Sequence, residues 1–171
     1  MASSATYVPI ATQTLGSSTA TITFSSIPQT YTDLIIAINS GGSVNLDFDM
    51  QFNGDSGSSS GTNYSGTGLG GTGSSVYPSS IANSNAIRLD QTGYMTTTVV
   101  ANAIAHIMNY SNTTTYKTVL AHTNNANAGT GITVGLWRNT AAVNQIAFSN
   151  FGGGATYITG STFTLYGIKA A

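Results

Sequence analysis

Charge is the scarcest feature of this 171-residue sequence, since only 5% of its residues are Asp, Glu, Lys or Arg. A typical soluble domain carries about 25%. Five acidic residues, all aspartate, stand against four basic ones, and the formal net charge is −1. Without a basic patch the chain cannot neutralise phosphates, so we expect no nucleic-acid partner. A nearly neutral surface offers little repulsion between copies and suits dense assembly.

Cysteine is absent, which excludes disulfide bonds and thiolate chemistry. The first residues have neither a basic nor an apolar signal region, so we expect no classical signal peptide. The longest apolar stretch, residues 34–38, is far too short to span a membrane, and no membrane partner is expected. The sequence also lacks a phosphate loop, a dinucleotide fingerprint and zinc-ligand spacing, so we expect no cofactor.

What the sequence does contain is alternation of apolar and polar residues. In residues 44–53 every even position is apolar and every odd position is polar. Because strand side chains point alternately to opposite faces, this pattern predicts a half-buried strand with one solvated face. Residues 19–24, 132–136 and 162–166 repeat the pattern, with their apolar side expected inside. Residues 34–38 are apolar on both faces and predict a central strand that is covered on each side.

The number and spacing of these runs predict the fold class. Weaker strand-like runs cover residues 99–110, 116–122 and 143–148, and residues 112–115 turn the chain between the first two to make a hairpin. About eight short strands with polar turns predict an all-β antiparallel sandwich, which we expect to be jelly-roll-like, in one domain over residues 1–171. We expect the N-terminal strand near Tyr7 to pair with the C-terminal strand that ends near Ile168.

One segment interrupts this order. Residues 54–75 consist almost entirely of Gly, Ser and Thr, and only Tyr64 and Leu69 could anchor them. The composition is that of a flexible linker. We therefore expect either a flexible loop or a loop that becomes ordered against a partner.

Catalytic or metal-binding residues are few. His106 and His122 fall on adjacent predicted strands and could face each other, but no nucleophile motif accompanies them. Asp47 and Asp49 share one strand face, where paired carboxylates suit glycoside hydrolysis or a calcium site. Since no closing Glu follows and alternation alone explains the pattern, we favour a solvated or subunit-facing polar stripe. We expect no enzyme, and a metal at these aspartates stays an open alternative.

Aromatic residues are the remaining indication of binding. Trp137 is the only tryptophan and lies beside Arg138. Protein interfaces use Trp, Tyr and Arg as anchors, whereas sugar sites use exposed rings for stacking. We expect Arg138 to be buried against Asp33, Asp55 or Asp90, because a chain with so little charge should pair its ions. The candidate interface anchors are Trp137, Arg138, Tyr64, Leu69 and Tyr7.

Five stretches, taken in order, carry a family resemblance. They are YVPIATQTL at residues 7–15, ITFSSIPQTYTDL at 22–34, FNGD at 52–55 with NYS at 63–65, GLWRNTAA at 135–142, and GSTFTLYGIK at 160–169. Together they resemble a family of small virion proteins of tailed phages of aquatic bacteria, including cyanophages. The resemblance covers nearly the whole chain.

This resemblance implies a structural role in the virion. It points to a capsid decoration (cement) protein that stabilises the head by binding between major-capsid subunits. The alternative is a tail- or fibre-associated adhesin that binds a host-surface glycan. By analogy with decoration proteins, the resemblance implies a homotrimer on the capsid exterior, synthesised in the host cytoplasm.

Overall fold

The computed structural model describes residues 6–44, 47–56, 63–90, 100–149 and 154–169. These residues form twelve β-strands and no helix, so the prediction of an all-β protein is confirmed. The strands are β1 (Tyr7–Thr14), β2 (Thr21–Phe24), β3 (Asp33–Ser40), β4 (Asp49–Phe52), β5 (Tyr64–Gly71), β6 (Val76–Ser84), β7 (Ile87–Arg88), β8 (Ala101–Met108), β9 (Lys117–Asn125), β10 (Gly129–Trp137), β11 (Ile146–Ser149) and β12 (Thr162–Ile168).

The strands form two antiparallel sheets. The large sheet has the order β1-β12-β3-β8-β9-β10-β5-β6, and the small sheet has the order β2-β11-β4-β7. Aromatic contacts join them: the rings of Phe148 on β11 and Phe163 on β12 lie 5.6 Å apart. The rings of Phe52 on β4 and Trp137 on β10 lie 5.4 Å apart. The predicted antiparallel sandwich is therefore confirmed.

The core lies between the inner faces of the two sheets. Phe48, Met50 and Phe52, predicted to be buried, are completely buried; Leu46 of the same alternation lies outside the described residues. From the large sheet, Ile36 and Leu165 are also completely buried in the same cluster. Removing each such side chain from water contributes about 1.5–3 kcal/mol, which makes this cluster the main source of stability.

Two predicted pairings of strands are present. β1 pairs with β12, with Tyr7 opposite Ile168, as expected from the two ends of the chain. β8 pairs with β9, and the turn between them is closed by Asn112. The Asn112 Oδ1 accepts hydrogen bonds from the backbone N–H groups of Thr114 and Thr115 at 2.7 and 2.8 Å. Such Asx turns form wherever an Asn carboxamide replaces a backbone acceptor.

Residues 54–75 are not one loop, so that prediction is wrong for residues 64–71. Tyr64–Gly71 is strand β5, paired with β10 on one side and β6 on the other; residues 57–62 lie outside the described part. Glycine weakens a strand but is favoured where another backbone or layer approaches closely. Strands β5, β6 and β7 were not among the runs counted in the sequence, which explains why about eight strands were expected and twelve are observed.

Strand β3 is central in its sheet but is covered on one face only. Leu34, Ile36 and Ile38 are buried, whereas Ile35 and Ala37 are half-buried. The expectation of cover on both sides is wrong, because the second sheet packs on the inner face alone. The outer face of the large sheet is therefore available to a partner.

Both edge strands of the large sheet carry a proline, Pro9 in β1 and Pro78 in β6. The register of β1 also shifts between Pro9 and Ala11. Proline lacks the N–H that continues a strand ladder, and bulges bend an edge away from further pairing. The described residues contain no helix long and apolar enough to cross a membrane.

A candidate interaction surface on the large sheet

Strand β10 directs its branched apolar side chains outward. Ile132 and Val134 are exposed, while Gly131, Thr133 and Gly135 are buried. The expectation that the apolar side of residues 132–136 lies inside is therefore wrong. The reason is the position of Ile87 on β7, which packs so closely over Gly135 that a Cβ there would overlap with its side chain. Only small residues fit the inner face at this point.

Strand pairing places further apolar residues beside these two. Ile132 lies opposite Leu69 of β5, and Val134 lies opposite Leu120 of β9. One strand further, Ile104 lies opposite His122, which in turn lies opposite Ile132. Exposure ranges from 36% at Leu120 to 54% at Ile104. We call this set the outer apolar band: Leu69, Ile104, Leu120, Ile132 and Val134.

The two histidines lie on the same outer face but not opposite each other. His106 is paired with Leu120, and His122 is paired with Ile104. The expectation that they could face each other directly is wrong, since they are diagonal neighbours. His106 Nε2 lies 3.0 Å from Asp33 Oδ2, and the other oxygen of Asp33 accepts the Asn109 N–H at 2.6 Å. Asp33 thus orients the imidazole at the margin of the outer apolar band.

A row of amide and hydroxyl side chains borders the band. Asn39, Asn102 and Asn124 are directly paired across β3, β8 and β9. All three are exposed, and Asn102 Nδ2 donates to Asn124 Oδ1 at 3.4 Å. Thr162 and Thr130 continue the same row on β12 and β10. We call these five residues the amide row.

Two shallow depressions cross this face, with volumes of about 470 Å³ and about 540 Å³. The first is lined by Leu69, Val76 and Ile132, and the second by Val134 and Leu136 among others. Among the described residues, neither is lined by Trp, Tyr or Phe. A sugar ring would therefore find no aromatic platform in either depression, whereas aliphatic side chains of a protein partner would fit.

Asp47 and Asp49 do not form a solvated stripe. Asp49 is only 7% exposed and Gln51 only 6%, so the predicted wet face is wrong; Asn45 lies outside the described residues. Strand β4 lies between β11 and β7 in the small sheet, and Gln51 Nε2 donates to the carbonyl oxygen of Asn85, just before β7, at 2.8 Å. Arg88 lies 2.9 Å from Asp47 Oδ2 and 3.7 Å from Asp49 Oδ1.

Burial is the main influence on the pKa of Asp47. Loss of solvent raises the pKa of Asp47; the Arg88 guanidinium opposes this shift and the Asp90 charge adds to it. Within the described ranges, no three His, Cys, Asp or Glu side chains form a group that could hold a metal ion. The pair therefore acts as a partly buried ion cluster between β4 and β7.

Trp137 and Tyr64 are completely buried and are not accessible to a partner. An interface or sugar-stacking role for these two anchors is therefore wrong. Their rings stack at 6.3 Å with an interplanar angle of 17°. Trp137 Nε1 donates to Asp55 Oδ2 at 2.7 Å, and Asn63 Nδ2 donates to the same oxygen at 2.9 Å. These residues hold the sandwich together internally.

The other three candidate anchors are more accessible. The Arg138 guanidinium donates to the carbonyl oxygens of Tyr64 at 3.3 Å and Ala82 at 3.0 Å, which ties β10 to β5 and β6. Leu69 belongs to the outer apolar band. Tyr7 is 58% exposed at the start of the edge strand β1. Arg138 also lines the second depression on this face.

Sequence reasoning missed four of the five band residues, because it assigned the apolar side of each strand to the core. The signal that could have revealed them is the glycine content of the alternate positions in residues 66–71 and 131–135. No protein-family model matches the chain, and no curated protein matches it either.

Proposed function

We propose that this chain is a non-enzymatic structural protein of a bacteriophage virion that decorates the capsid exterior by binding between major-capsid subunits. The observation that carries the assembly role is the outer apolar band, in which five aliphatic side chains on neighbouring strands are exposed. Contiguous apolar patches on folded domains mark sites of protein contact.

The phage assignment is supported by the family resemblance, and two of its five stretches, FNGD with NYS and GLWRNTAA, meet in one cluster. Asp55 of the FNGD stretch contacts Asn63 of the NYS stretch and Trp137 of the GLWRN stretch. Arg138 N–H donates to Asn63 O at 2.7 Å in the same cluster. These stretches are therefore hydrogen-bonded to one another and stabilise the same part of the fold.

We also propose that the sandwich contains a jelly roll. Its supporting observation is a nest of antiparallel pairs: β1 with β12, β2 with β11, β3 with β8, and β4 with β7. A long hairpin that rolls up across two sheets pairs its strands in this first-with-last order. The hairpins β5–β6 and β9–β10 then extend the large sheet. Jelly rolls serve in viral capsids and in lectins, so this likeness supports the proposal by analogy only.

The alternative of a tail adhesin that binds a host glycan has less support. Trp137 is buried, and the two depressions on the outer face lack aromatic lining among the described residues. An adhesin would need a sugar platform elsewhere on the chain. A glycan array probed with the purified protein tests this alternative, and specific binding would favour it.

The direct test is localisation in the particle. Immunogold labelling or cryo-EM of virions that contain this chain should place it on the head, in multiple copies between major-capsid subunits. Label confined to the tail tip would favour the adhesin. Absence of the protein from purified particles would overturn the virion assignment.

A further inference from the structure

We infer that the outer apolar band is covered by the same band of a second copy of this chain, so that two large sheets pack face to face about a two-fold axis. The inference rests on the proposed function, because the proposed function assigns the outer apolar band to assembly and the inference names the molecule that covers this band. It goes beyond the proposal by assigning this surface to a two-fold contact between copies, which leaves the contact with major-capsid subunits to other surfaces of the dimer.

The edges of the large sheet argue for contact through the face. Pro9 in β1 and Pro78 in β6 lie in its two outermost strands. Each proline lacks a ladder N–H, so a second sheet is poorly accommodated alongside either edge. Copies that associate through this sheet therefore meet by stacking.

The chemistry of the face suits a copy of itself. The outer apolar band contains only aliphatic side chains, which pack equally well against an identical set. The amide row adds Asn39, Asn102 and Asn124, and a carboxamide both donates and accepts, so identical rows can hydrogen-bond to each other. Opposing rows of one charge would repel instead, and a charged partner would bury ions against apolar groups at a high cost.

The size of the face also meets the requirement for a stable contact. Its eight strands, spaced about 4.8 Å apart and rising about 3.3 Å per residue, form a face of about 38 Å by about 26 Å. This corresponds to roughly 1,000 Å², while a standard protein interface buries about 800 Å² on each partner. A second copy that covers most of the face is therefore sufficient.

This contact differs from the homotrimer that the family resemblance implies. A three-fold assembly joins two different patches on each copy, whereas a two-fold contact joins one patch to itself. The band is a single patch on the adjacent strands β8, β9, β10 and β5 of the eight-stranded sheet. Its position fits the two-fold arrangement, and the solution mass separates the two.

The first experiment measures mass by light scattering on the full chain. The wild type should have twice the chain mass of 17.5 kDa, about 35 kDa. Ile132→Asp places a charge in the band and should give the mass of a single chain. Val44→Asp, at a position that is 60% exposed away from the band, should leave the dimer unchanged. Circular dichroism checks that both variants stay folded.

The second experiment does not depend on a destabilising charge. The chain contains no cysteine, so a single introduced thiol reports contact between copies without background. We place the two-fold axis near Ile132, because β10 is one of the two middle strands of the band. Under mild oxidation Ile132→Cys should therefore form a covalent dimer, and Val44→Cys should not. Equal cross-linking of both variants would overturn the face-to-face contact.

Three outcomes separate this inference from the proposed function. A monomeric or trimeric wild type that is nevertheless found on the head overturns the two-fold contact and keeps the virion assignment. A dimer that Ile132→Asp breaks, from a protein absent from virions, supports the contact and overturns the assignment. A dimer that survives Ile132→Asp shows that another surface joins the copies and overturns the inference.

Discussion

Asp55 accepts a hydrogen bond from the indole N–H of Trp137 at 2.7 Å, which joins the segment after β4 to the last residue of β10. Its backbone carbonyl also accepts the hydroxyl of Tyr64 at 2.9 Å. Asp55 therefore holds two large buried aromatic residues, one on each of two paired strands. The carboxylate is a structural acceptor at one end of the sandwich.

Asp55→Ala should lower the free energy of unfolding by about 2–3 kcal/mol, because it leaves the buried indole N–H without its charged acceptor. Asp55→Asn keeps an acceptor oxygen and should cost about half as much. Urea denaturation followed by tryptophan fluorescence measures both values. Equal losses for the two variants would show that the acceptor atom does not matter.

Tyr157 and Tyr64 provide a matched pair of buried hydroxyls. In the part of the chain that the structure describes, the Tyr157 hydroxyl has no hydrogen-bond partner, whereas that of Tyr64 bonds to Phe52 and Asp55. Tyr157→Phe should raise the free energy of unfolding by about 1 kcal/mol, and Tyr64→Phe should lower it by about 1–2 kcal/mol. Destabilisation by Tyr157→Phe would reveal a partner for its hydroxyl.

The same two tyrosines predict sensitivity to alkali. Burial raises the pKa of both hydroxyls above the ordinary value of 10.0, and nearby aspartate charges add to the shift. Above pH 10 the unfolded chain releases these protons and the folded chain keeps them. The stability that is present below pH 10 should therefore fall, by about 1.4 kcal/mol per pH unit for each tyrosine.

Urea denaturation between pH 9 and pH 11.5 measures this slope. Tyr64→Phe serves as the control, because it removes one of the titrating groups and should make the decline shallower. An unchanged slope in that variant would mean that other groups cause the alkaline loss.

Gly135 packs closely on Ile87, so the effects of substitutions at these two positions on stability should depend on each other. Gly135→Ala should lower the free energy of unfolding by about 1–3 kcal/mol, because its Cβ would overlap with the Ile87 side chain. Gly66→Ala is the control on β5, since its Cβ would have an ordinary 3.7 Å contact with Thr133. In the Gly135→Ala/Ile87→Ala double variant, part of the loss should disappear. Simple additivity of the two substitutions would contradict the predicted overlap.

Attachment to the particle should depend only weakly on salt. With 5% charged residues, the chain has to rely on apolar contacts and neutral hydrogen bonds. Raising monovalent salt to about 1 M shortens the Debye length to about 3 Å and leaves apolar contacts intact. The measurement is the fraction of protein retained on purified particles from low to high salt. Release by salt alone would show that a few ions dominate the attachment.

The sequence by itself determined the fold class and part of the core. Alternation placed Phe48, Met50 and Phe52 on one face, and the large apolar area of these three side chains favoured that face for the core, where they are buried. The pairing of Tyr7 with Ile168 was inferred only from the matching lengths of the two end segments. The β8–β9 turn was predictable from local chemistry at Asn112.

Only the tertiary structure decided which face of a strand meets the second sheet. Alternation shows that Ile132 and Val134 share a face, but it does not show the distance between the layers. Where β7 brings Ile87 against Gly135, that position of the inner face has room for glycine alone, and the aliphatic residues Ile132 and Val134 lie outside and form the candidate interface. Alternation likewise assigned Asp49 to a polar face, but it did not show that this side chain is buried, with its carboxylate 3.7 Å from Arg88 of β7.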